Sequence, residues 1–233
     1  MPVNLSLKKQ GIWIALPMIT WLILFFCRPL WFHAWCAETP TPCVESAVDS
    51  FDQIVFKHHS VLADFASNIL QNSSGAAALL AVWFILKNRT QFTQVALFLV
   101  RTTLWNGALL EATRALVQRP RPLVFQNPLG DGANINQYTS FYSGHTSFVA
   151  MATLASFLWI YRFSPESKKP AFAFALFLLL TTLTGMLRIL GGRHFPTDVI
   201  AAIAAGSLVA LANFAFSRNS LPQLEETPHP ATP

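Results

Sequence analysis

A histidine and an aspartate occur four residues apart in the stretch LRILGGRHFPTDVI, which covers residues 187–200. Residues at this spacing share one face of a helix, and Pro196 suits the first turn of such a helix. A carboxylate at one imidazole nitrogen fixes the tautomer and raises the basicity of the other nitrogen. His194 is therefore a candidate nucleophile and Asp198 its partner. The alternative is an interfacial His–Asp pair with a snorkelling Arg188.

A second stretch, EATRALVQRPRP at residues 111–122, carries three arginines: Arg114, Arg119 and Arg121. The first and last are seven residues apart, so they can share a helix face two turns apart. The two prolines that follow predict the end of this helix. Arginine holds phosphate oxygens in a bidentate fork. The alternative is anchoring at a membrane edge, with Arg114 paired to Glu111. Arg119 and Arg193 are expected to be surface charge, with contact to a headgroup as the alternative.

A third stretch, FYSGHTS at residues 141–147, precedes a long apolar run. Ser143 is a good helix N-cap, and Gly144 lets the backbone approach a ligand closely. The free N–H groups of a helix start bind anions, which would place His145 beside such an anion as an acid. The alternative is a plain N-cap with an interfacial histidine.

Together the three stretches supply cations, two histidines and a carboxylate, a set that suits phosphoryl chemistry. Cysteine and histidine spacings typical of a metal site are missing from the sequence. It also has no Walker-type phosphate loop and no Gly-x-Ser-x-Gly nucleophile elbow. The pattern therefore favours histidine chemistry on a phosphate group.

The composition predicts that these residues lie in a membrane protein. Hydrophobic residues make up 53% of the 233-residue chain and charged residues only 12%, against about 25% charged residues in soluble domains. We expect an all-α membrane bundle of about six spanning helices, each of about 20 residues. Apolar runs place them near residues 11–27, 66–86, 91–110, 145–161, 170–187 and 198–216.

The rest of the chain is assigned to loops and a tail. Residues 28–60 are predicted to form an extracytoplasmic loop with an interfacial amphipathic helix between the first two spans. The bundle would occupy residues 1–217, and the polar, proline-rich residues 218–233 would form a disordered cytoplasmic tail. Lysine and arginine in short loops favour cytoplasmic termini, which puts all three stretches on the outer face. There, Cys36 and Cys43 could form a disulfide or remain two free thiols.

The three stretches together resemble the signature of the type 2 phosphatidic acid phosphatase family, the lipid phosphate phosphatases. The similarity extends over about residues 60–216. The first part of that signature is Lys, six residues, then Arg-Pro, and the second is Pro-Ser-Gly-His. The third is Ser-Arg, five residues, His, three residues, Asp. Here the three parts read Arg114 with Arg121-Pro122, then Tyr142-Ser143-Gly144-His145, then Leu187-Arg188 with His194 and Asp198.

The order and spacing match, with three departures. Arg114 replaces the lysine, which keeps the charge and changes the donor geometry. Tyr142 replaces the proline, and Leu187 replaces a serine and its hydroxyl. These departures bear on the substrate range more than on the reaction, since the histidines and the aspartate are retained.

The resemblance implies a metal-independent reaction without a cofactor. In it, His194 attacks phosphorus, Asp198 orients His194, and His145 protonates the departing alcohol. The phosphoryl oxygens would be held by side chains and backbone N–H groups of Arg114, Arg121, Arg188, Ser143 and Gly144. A phosphohistidine would form and be hydrolysed by water.

The implied substrate is a membrane lipid phosphate: phosphatidic acid, phosphatidylglycerophosphate, a polyprenyl pyrophosphate or a lipid A phosphate. Two alternatives stay open, a phosphotransferase that uses the same intermediate and a non-enzymatic lipid transporter lined by polar residues such as Arg101 and Asn106. We expect the lipid bilayer and no nucleic acid as partners, and a bacterial inner membrane with a periplasmic site. The oligomeric state stays undetermined.

Overall fold

A computed structural model describes residues 7–85 and 89–218, and all regular secondary structure within these ranges is helical. This confirms the all-α class. Eight α-helices occur in the described residues, of which six have 20 residues or more. Their bounds are α1 Leu7–Phe26, α2 Arg28–Trp31, α3 Val61–Ile85, α4 Arg89–Val117, α5 Pro122–Gln126, α6 Gly144–Phe163, α7 Lys169–Leu190 and α8 Pro196–Arg218.

Three of the long helices are apolar enough to cross a membrane. These are Gly144–Phe163, Lys169–Leu190 and Pro196–Ser217, while α1 contributes a shorter apolar segment, Gly11–Phe26. Large apolar side chains of α7, such as Leu179 and Met186, point outward with exposed fractions of 59% and 55%. Such a surface suits hydrocarbon rather than water, so the protein is a membrane protein.

The predicted count of six spans is not established by apolarity alone. The second and third predicted spans fall in α3 and α4, which are long enough to cross a bilayer but interrupted by polar residues. In α4, Arg101 donates hydrogen bonds to Asn213 and Ser217 of α8. Asn106 donates to the Ser147 hydroxyl at 3.2 Å. These two residues thus make polar helix–helix contacts.

The centre of the bundle is α6, which packs against α3, α4, α7 and α8. About 61% of its apolar window is buried, against 28% in each of α7 and α8. Close approach to α8 depends on Gly206, because any side chain there would collide with the Ser147 backbone carbonyl. This tight packing holds the start of α6 against the middle of α8.

The predicted interfacial helix between the first two spans is not seen. Residues 28–60 instead form the short α2 and three turns of 3-10 helix, Trp35–Ala37, Glu45–Ala47 and Gln53–Lys57. Two prolines, Pro40 and Pro42, interrupt this polar segment and disfavour a longer helix. The predicted disordered tail lies outside the described residues, except Arg218.

A disulfide joins Cys36 to Cys43, with 5.3 Å between their Cα atoms. Both cysteines are fully buried in a small cluster with Phe32, Val124 and Tyr138. The Tyr138 hydroxyl accepts a hydrogen bond from the Cys36 backbone N–H at 2.9 Å and donates one to the Gly132 carbonyl at 2.8 Å. The disulfide loop is therefore fastened to the connection between α4 and α6.

Candidate active site

The three sequence motifs meet at one end of the bundle. They lie at the end of α4, the start of α6, and the turn between α7 and α8. A side chain at Gly144 would come within 3.0 Å of the Arg114 guanidinium, so the first two motifs are in direct contact. The Ser143 backbone N–H donates to the Asp198 carbonyl at 3.2 Å, which joins the second motif to the third.

A tight turn positions His194 between α7 and α8. Gly192 adopts a left-handed conformation with φ of 66°, which glycine accepts without strain. A side chain at Gly192 would also lie 2.6 Å from the His58 carbonyl. The chain can therefore reverse direction within a few residues and place His194 at the start of α8.

His194 is 1% exposed, and its Nδ1 lies 2.8 Å from the Ser140 backbone carbonyl. A carbonyl can only accept, so Nδ1 carries the proton and Nε2 keeps its lone pair. This differs from the sequence-based expectation that Asp198 orients His194 directly. Its Oδ2 is 3.7 Å from Nδ1, which is too long for a hydrogen bond.

Asp198 is fully buried, and both of its carboxylate oxygens accept hydrogen bonds from groups other than His194. Its Oδ2 accepts from the Ser140 hydroxyl at 2.6 Å and from the Phe195 N–H at 3.0 Å. Its Oδ1 accepts from Arg119 at 2.6 Å. Asp198 therefore acts on His194 indirectly. It binds the hydroxyl of Ser140, whose backbone carbonyl accepts the hydrogen bond of the imidazole.

Arg119 was expected to be surface charge, and the structure places it between two buried carboxylates. In addition to Asp198, it contacts Asp52 at 2.7 Å, and its guanidinium stacks 4.1 Å from the Phe195 ring centroid. Asp52 is 1% exposed and also accepts from the N–H and hydroxyl of Thr197 in the first turn of α8. Removing one partner from such a buried network commonly costs about 3–5 kcal/mol.

Burial lowers the pKa of His194 well below its usual value, and the cations of Arg188, Arg121 and Arg114 lower it further. From the sequence, Asp198 was expected to raise the basicity of the imidazole. His145 lowers the pKa of His194 as well, so all four side chains are near enough to act electrostatically on its imidazole. The candidate nucleophile is thus unprotonated at neutral pH without help from a base.

The lowered pKa predicts a pH dependence of stability. An unfolded chain protonates His194 near pH 6.5, whereas the folded protein does so only at much lower pH. This stabilising contribution is therefore complete above pH 6.5 and is lost as the pH falls below it, with a slope approaching 1.4 kcal/mol per pH unit, as an order of magnitude.

Denaturant unfolding of the detergent-purified protein between pH 5 and pH 7 checks this. The free energy of unfolding should fall more steeply with decreasing pH in the wild type than in His194→Gln, because the other histidines are common to both. Parallel curves would show that His194 titrates normally in the folded state.

Two of the motif arginines are held by carboxylates. Glu111 accepts from Arg114 at 2.8 Å and from Arg28 at 2.5 Å. Asp64, in the first turn of α3, accepts from Arg188 at 2.6 Å and from Arg193 at 2.8 Å. The Ser67 hydroxyl accepts a further hydrogen bond from Arg188 at 3.1 Å. Each carboxylate thus bridges two arginines and fixes a guanidinium in place.

Arg121 has no carboxylate partner within the described part of the chain, and donates to the Thr139 hydroxyl at 3.2 Å. Burial, together with the neighbouring cations of Arg114, Arg188 and Arg193, lowers its pKa to about 9. A cation in this environment gains strongly from a bound anion.

The three motif arginines share one further feature. The Nε–H groups of Arg114, Arg121 and Arg188 are all buried without a hydrogen-bond partner among the described residues. Buried donors are normally satisfied, and an unpaired one costs about 1–3 kcal/mol or more when charged. Three such donors around one imidazole indicate a site that is completed by an anion.

The start of α6 contributes in part as expected. The N–H of Ser143 is used by Asp198, so it is not available to a ligand. The next N–H groups, from Gly144 onward, belong to the first helical turn, which lacks intrahelical acceptors. A side chain at position 144 would also displace Arg114 or Leu110. Gly144 is therefore required for the contact between the two motifs.

His145 stands in the first turn of α6, and its Nε2 lies 2.6 Å from Oδ1 of Asn68 in α3. Asn68 was not expected at the site from the sequence, and neither were Asp52, Asp64 and Ser140. None of these four forms a motif with its neighbours in sequence, and their partners lie 54 to 145 residues away. A charged Asp64 beside a predicted apolar span was the one visible sign.

No group of three or more metal-ligating side chains is found among residues 7–85 and 89–218. The described geometry is that of a helical membrane protein with an arginine-lined histidine site. A family model described as the PAP2 superfamily matches residues 95–221, more than half of the chain. The protein therefore belongs to the PAP2 superfamily, and the resemblance to type 2 phosphatidic acid phosphatases is confirmed.

Membership indicates phosphatase or phosphotransferase chemistry on a phosphoric ester. The matched region begins within α4 and continues into the end of α8, so it contains all three motifs. Comparison with curated proteins and with solved structures gave no match.

Proposed function

We propose that this protein is an integral membrane lipid phosphate phosphatase that hydrolyses a lipid phosphomonoester or pyrophosphate through a phosphohistidine, without a metal or cofactor. The observation that carries this proposal is the set of three buried, unpaired Nε–H groups on Arg114, Arg121 and Arg188 beside the imidazole of His194. Three convergent guanidinium groups match the three equatorial oxygens of a phosphoryl group in transfer.

The charge balance of the site supports a phosphate ester. The ion pairs around His194 form three triads, and Arg121 stands outside them, giving six arginines against four carboxylates. The triads are Arg28–Glu111–Arg114, Asp52–Arg119–Asp198 and Arg188–Asp64–Arg193. With neutral histidines this set has two excess positive charges, and a phosphomonoester carries about −1.5 to −2 at neutral pH.

In the proposed reaction, Nε2 of His194 attacks phosphorus while Nδ1–H stays bonded to the Ser140 carbonyl. The N–P bond forms as the bond to the alcohol oxygen breaks. The negative charge of the bound phosphate ester favours the protonated form of His145, which takes up a proton from water as the ester binds. His145 keeps one N–H on Asn68 and gives its other proton to the departing alcohol. Water then attacks phosphorus and gives a proton to the neutral His145, the N–P bond breaks, and inorganic phosphate leaves with both histidines restored.

The proposed substrate is a lipid because the site adjoins three apolar helices at one end of the bundle. A phosphate headgroup could enter there while its tail remained in the bilayer. The disulfide of Cys36 and Cys43 lies at the same end, which favours a site that faces an oxidising compartment such as the periplasm. Arg162, Lys168 and Lys169 lie at the opposite end, where α6 joins α7, which favours a cytoplasmic location for that end.

The proposal is tested with detergent-purified protein and four substrates: phosphatidic acid, phosphatidylglycerophosphate, a polyprenyl pyrophosphate and a lipid A phosphate. We expect release of inorganic phosphate from at least one of them in the presence of EDTA. A parallel reaction with an unphosphorylated acceptor lipid and labelled substrate tests transfer.

If the label is recovered mainly in the acceptor lipid, the protein is a phosphotransferase and not a hydrolase. Absence of phosphate release and of transfer for all four lipids would contradict the proposed function.

A further inference from the structure

Tyr142 directly precedes Ser143 and Gly144, and Arg114 and Glu111 of the site act electrostatically on its phenol. It is 3% exposed and packs against Leu110 of α4 and Ala202 of α8. Leu110 precedes Glu111, the partner of Arg114, and Ala202 follows Asp198 by one helical turn. Tyr142 therefore stands between the first and third motifs, at the position where the signature of the family has a proline.

The hydroxyl of Tyr142 is buried and has no hydrogen-bond partner among the described residues. The other tyrosine hydroxyl of this region, that of Tyr138, makes two hydrogen bonds. An unsatisfied buried hydroxyl costs about 1–3 kcal/mol. Such a group calls for an explanation, and a bound molecule that accepts its hydrogen bond is one.

The charged groups that act on this hydroxyl belong to the site. Burial raises the pKa of Tyr142, while Arg114 lowers it and Glu111 raises it. The phenol therefore remains protonated at neutral pH and can act as a neutral donor. The Arg114 guanidinium lies against Gly144, which is two residues after Tyr142 in the sequence. The Tyr142 ring, this guanidinium and the start of α6 therefore form one wall.

We propose that the Tyr142 hydroxyl donates a hydrogen bond to an oxygen of the bound phosphate ester, beside Arg114. Tyr142 is then a substrate-binding residue that the family signature does not contain, since a proline at the same position has no donor. This inference rests on the proposed function for the identity of the ligand. It adds a neutral donor to a site whose other donors are charged.

The test compares Tyr142→Phe with Thr181→Val in purified protein. Thr181 is a matched control, because its hydroxyl in α7 is also buried without a partner among the described residues but lies away from the site. For Tyr142→Phe we expect kcat/KM to fall about 10-fold or more, as for the loss of a hydrogen bond to a charged acceptor. The inhibition constant of inorganic phosphate should rise by a similar factor. Thr181→Val should change neither.

Thermal unfolding separates this role from a structural one. The Tm of ligand-free Tyr142→Phe should equal or exceed that of the wild type, since an unsatisfied hydroxyl is removed. The rise in Tm caused by inorganic phosphate should shrink. Unchanged phosphate binding in Tyr142→Phe, with or without a change in lipid turnover, would overturn the inference.

The phosphate-induced Tm shift does not require turnover. If the wild type releases no phosphate from any lipid but Tyr142→Phe loses the shift, the proposed function fails and the assignment of Tyr142 stands. If the wild type is active and the variant matches it in kcat/KM and in phosphate binding, the assignment of Tyr142 fails and the function stands.

Discussion

His194→Ala is expected to abolish phosphate release, with kcat reduced by about 10⁴-fold or more. The reason is that the nucleophile is removed, while the other histidine of the site, His145, is bonded to Asn68 and is assigned as the acid, so no phosphohistidine can form. His194→Gln should be equally inactive. Its side-chain amide can still donate to the Ser140 carbonyl, so the local structure is kept while the nucleophile is removed.

Phosphate release by the purified variants is the primary measurement. His33→Ala is the matched control, since the imidazole of His33 is exposed and pairs with Glu38 near the disulfide loop. It should retain wild-type turnover. Trapping with labelled substrate should give acid-labile protein phosphate in the wild type and none in His194→Gln. Turnover by His194→Ala would contradict the assigned nucleophile.

Arg121→Gln is expected to lower kcat/KM by about 10³-fold, as for the loss of a charged group that stabilises a phosphoryl transition state. Arg121 is the motif arginine without a carboxylate partner among the described residues, so its charge is the one most available to the substrate. Arg121→Lys should recover part of the activity, because it restores the charge without the planar fork.

The stability of Arg121→Gln separates catalysis from folding. Arg121 is buried beside three other arginines, and these lower its pKa to about 9 together with burial. Removing it relieves repulsion, so the Tm of the ligand-free variant should be equal to or above that of the wild type. Arg162→Gln, at the far end of α6, is the control and should leave activity unchanged. A loss of only a few-fold in Arg121→Gln would remove this residue from the phosphate site.

The positions of the motifs in the fold could be predicted from the sequence because each motif is short and local. Arg114 and Arg121 flank the end of a helix marked by proline, and Ser143 and Gly144 mark the start of another. Covalent spacing and helix geometry alone place such residues at helix ends. Apolar runs likewise predict α6, α7 and α8, whose outward faces meet hydrocarbon.

The span count and the loop could not be predicted as well. The polar residues of α3 and α4 form hydrogen bonds within the bundle, so the hydropathy of these two helices does not indicate whether they cross the membrane. Residues 28–60 resembled an amphipathic helix in composition. Their conformation instead depends on a disulfide and on contacts with the α4–α6 connection.

The sequence by itself determined the family, the helical class and the residue types at the site, because these follow from local spacing and composition. Tertiary structure alone decided which atoms meet. The carbonyl of Ser140 holds His194, Asp198 is bound to Arg119, and Asp64 holds Arg188. The physical reason is that hydrogen-bond geometry is set by tenths of an ångström between distant segments. Spacing along the chain determines only which helix face a residue occupies.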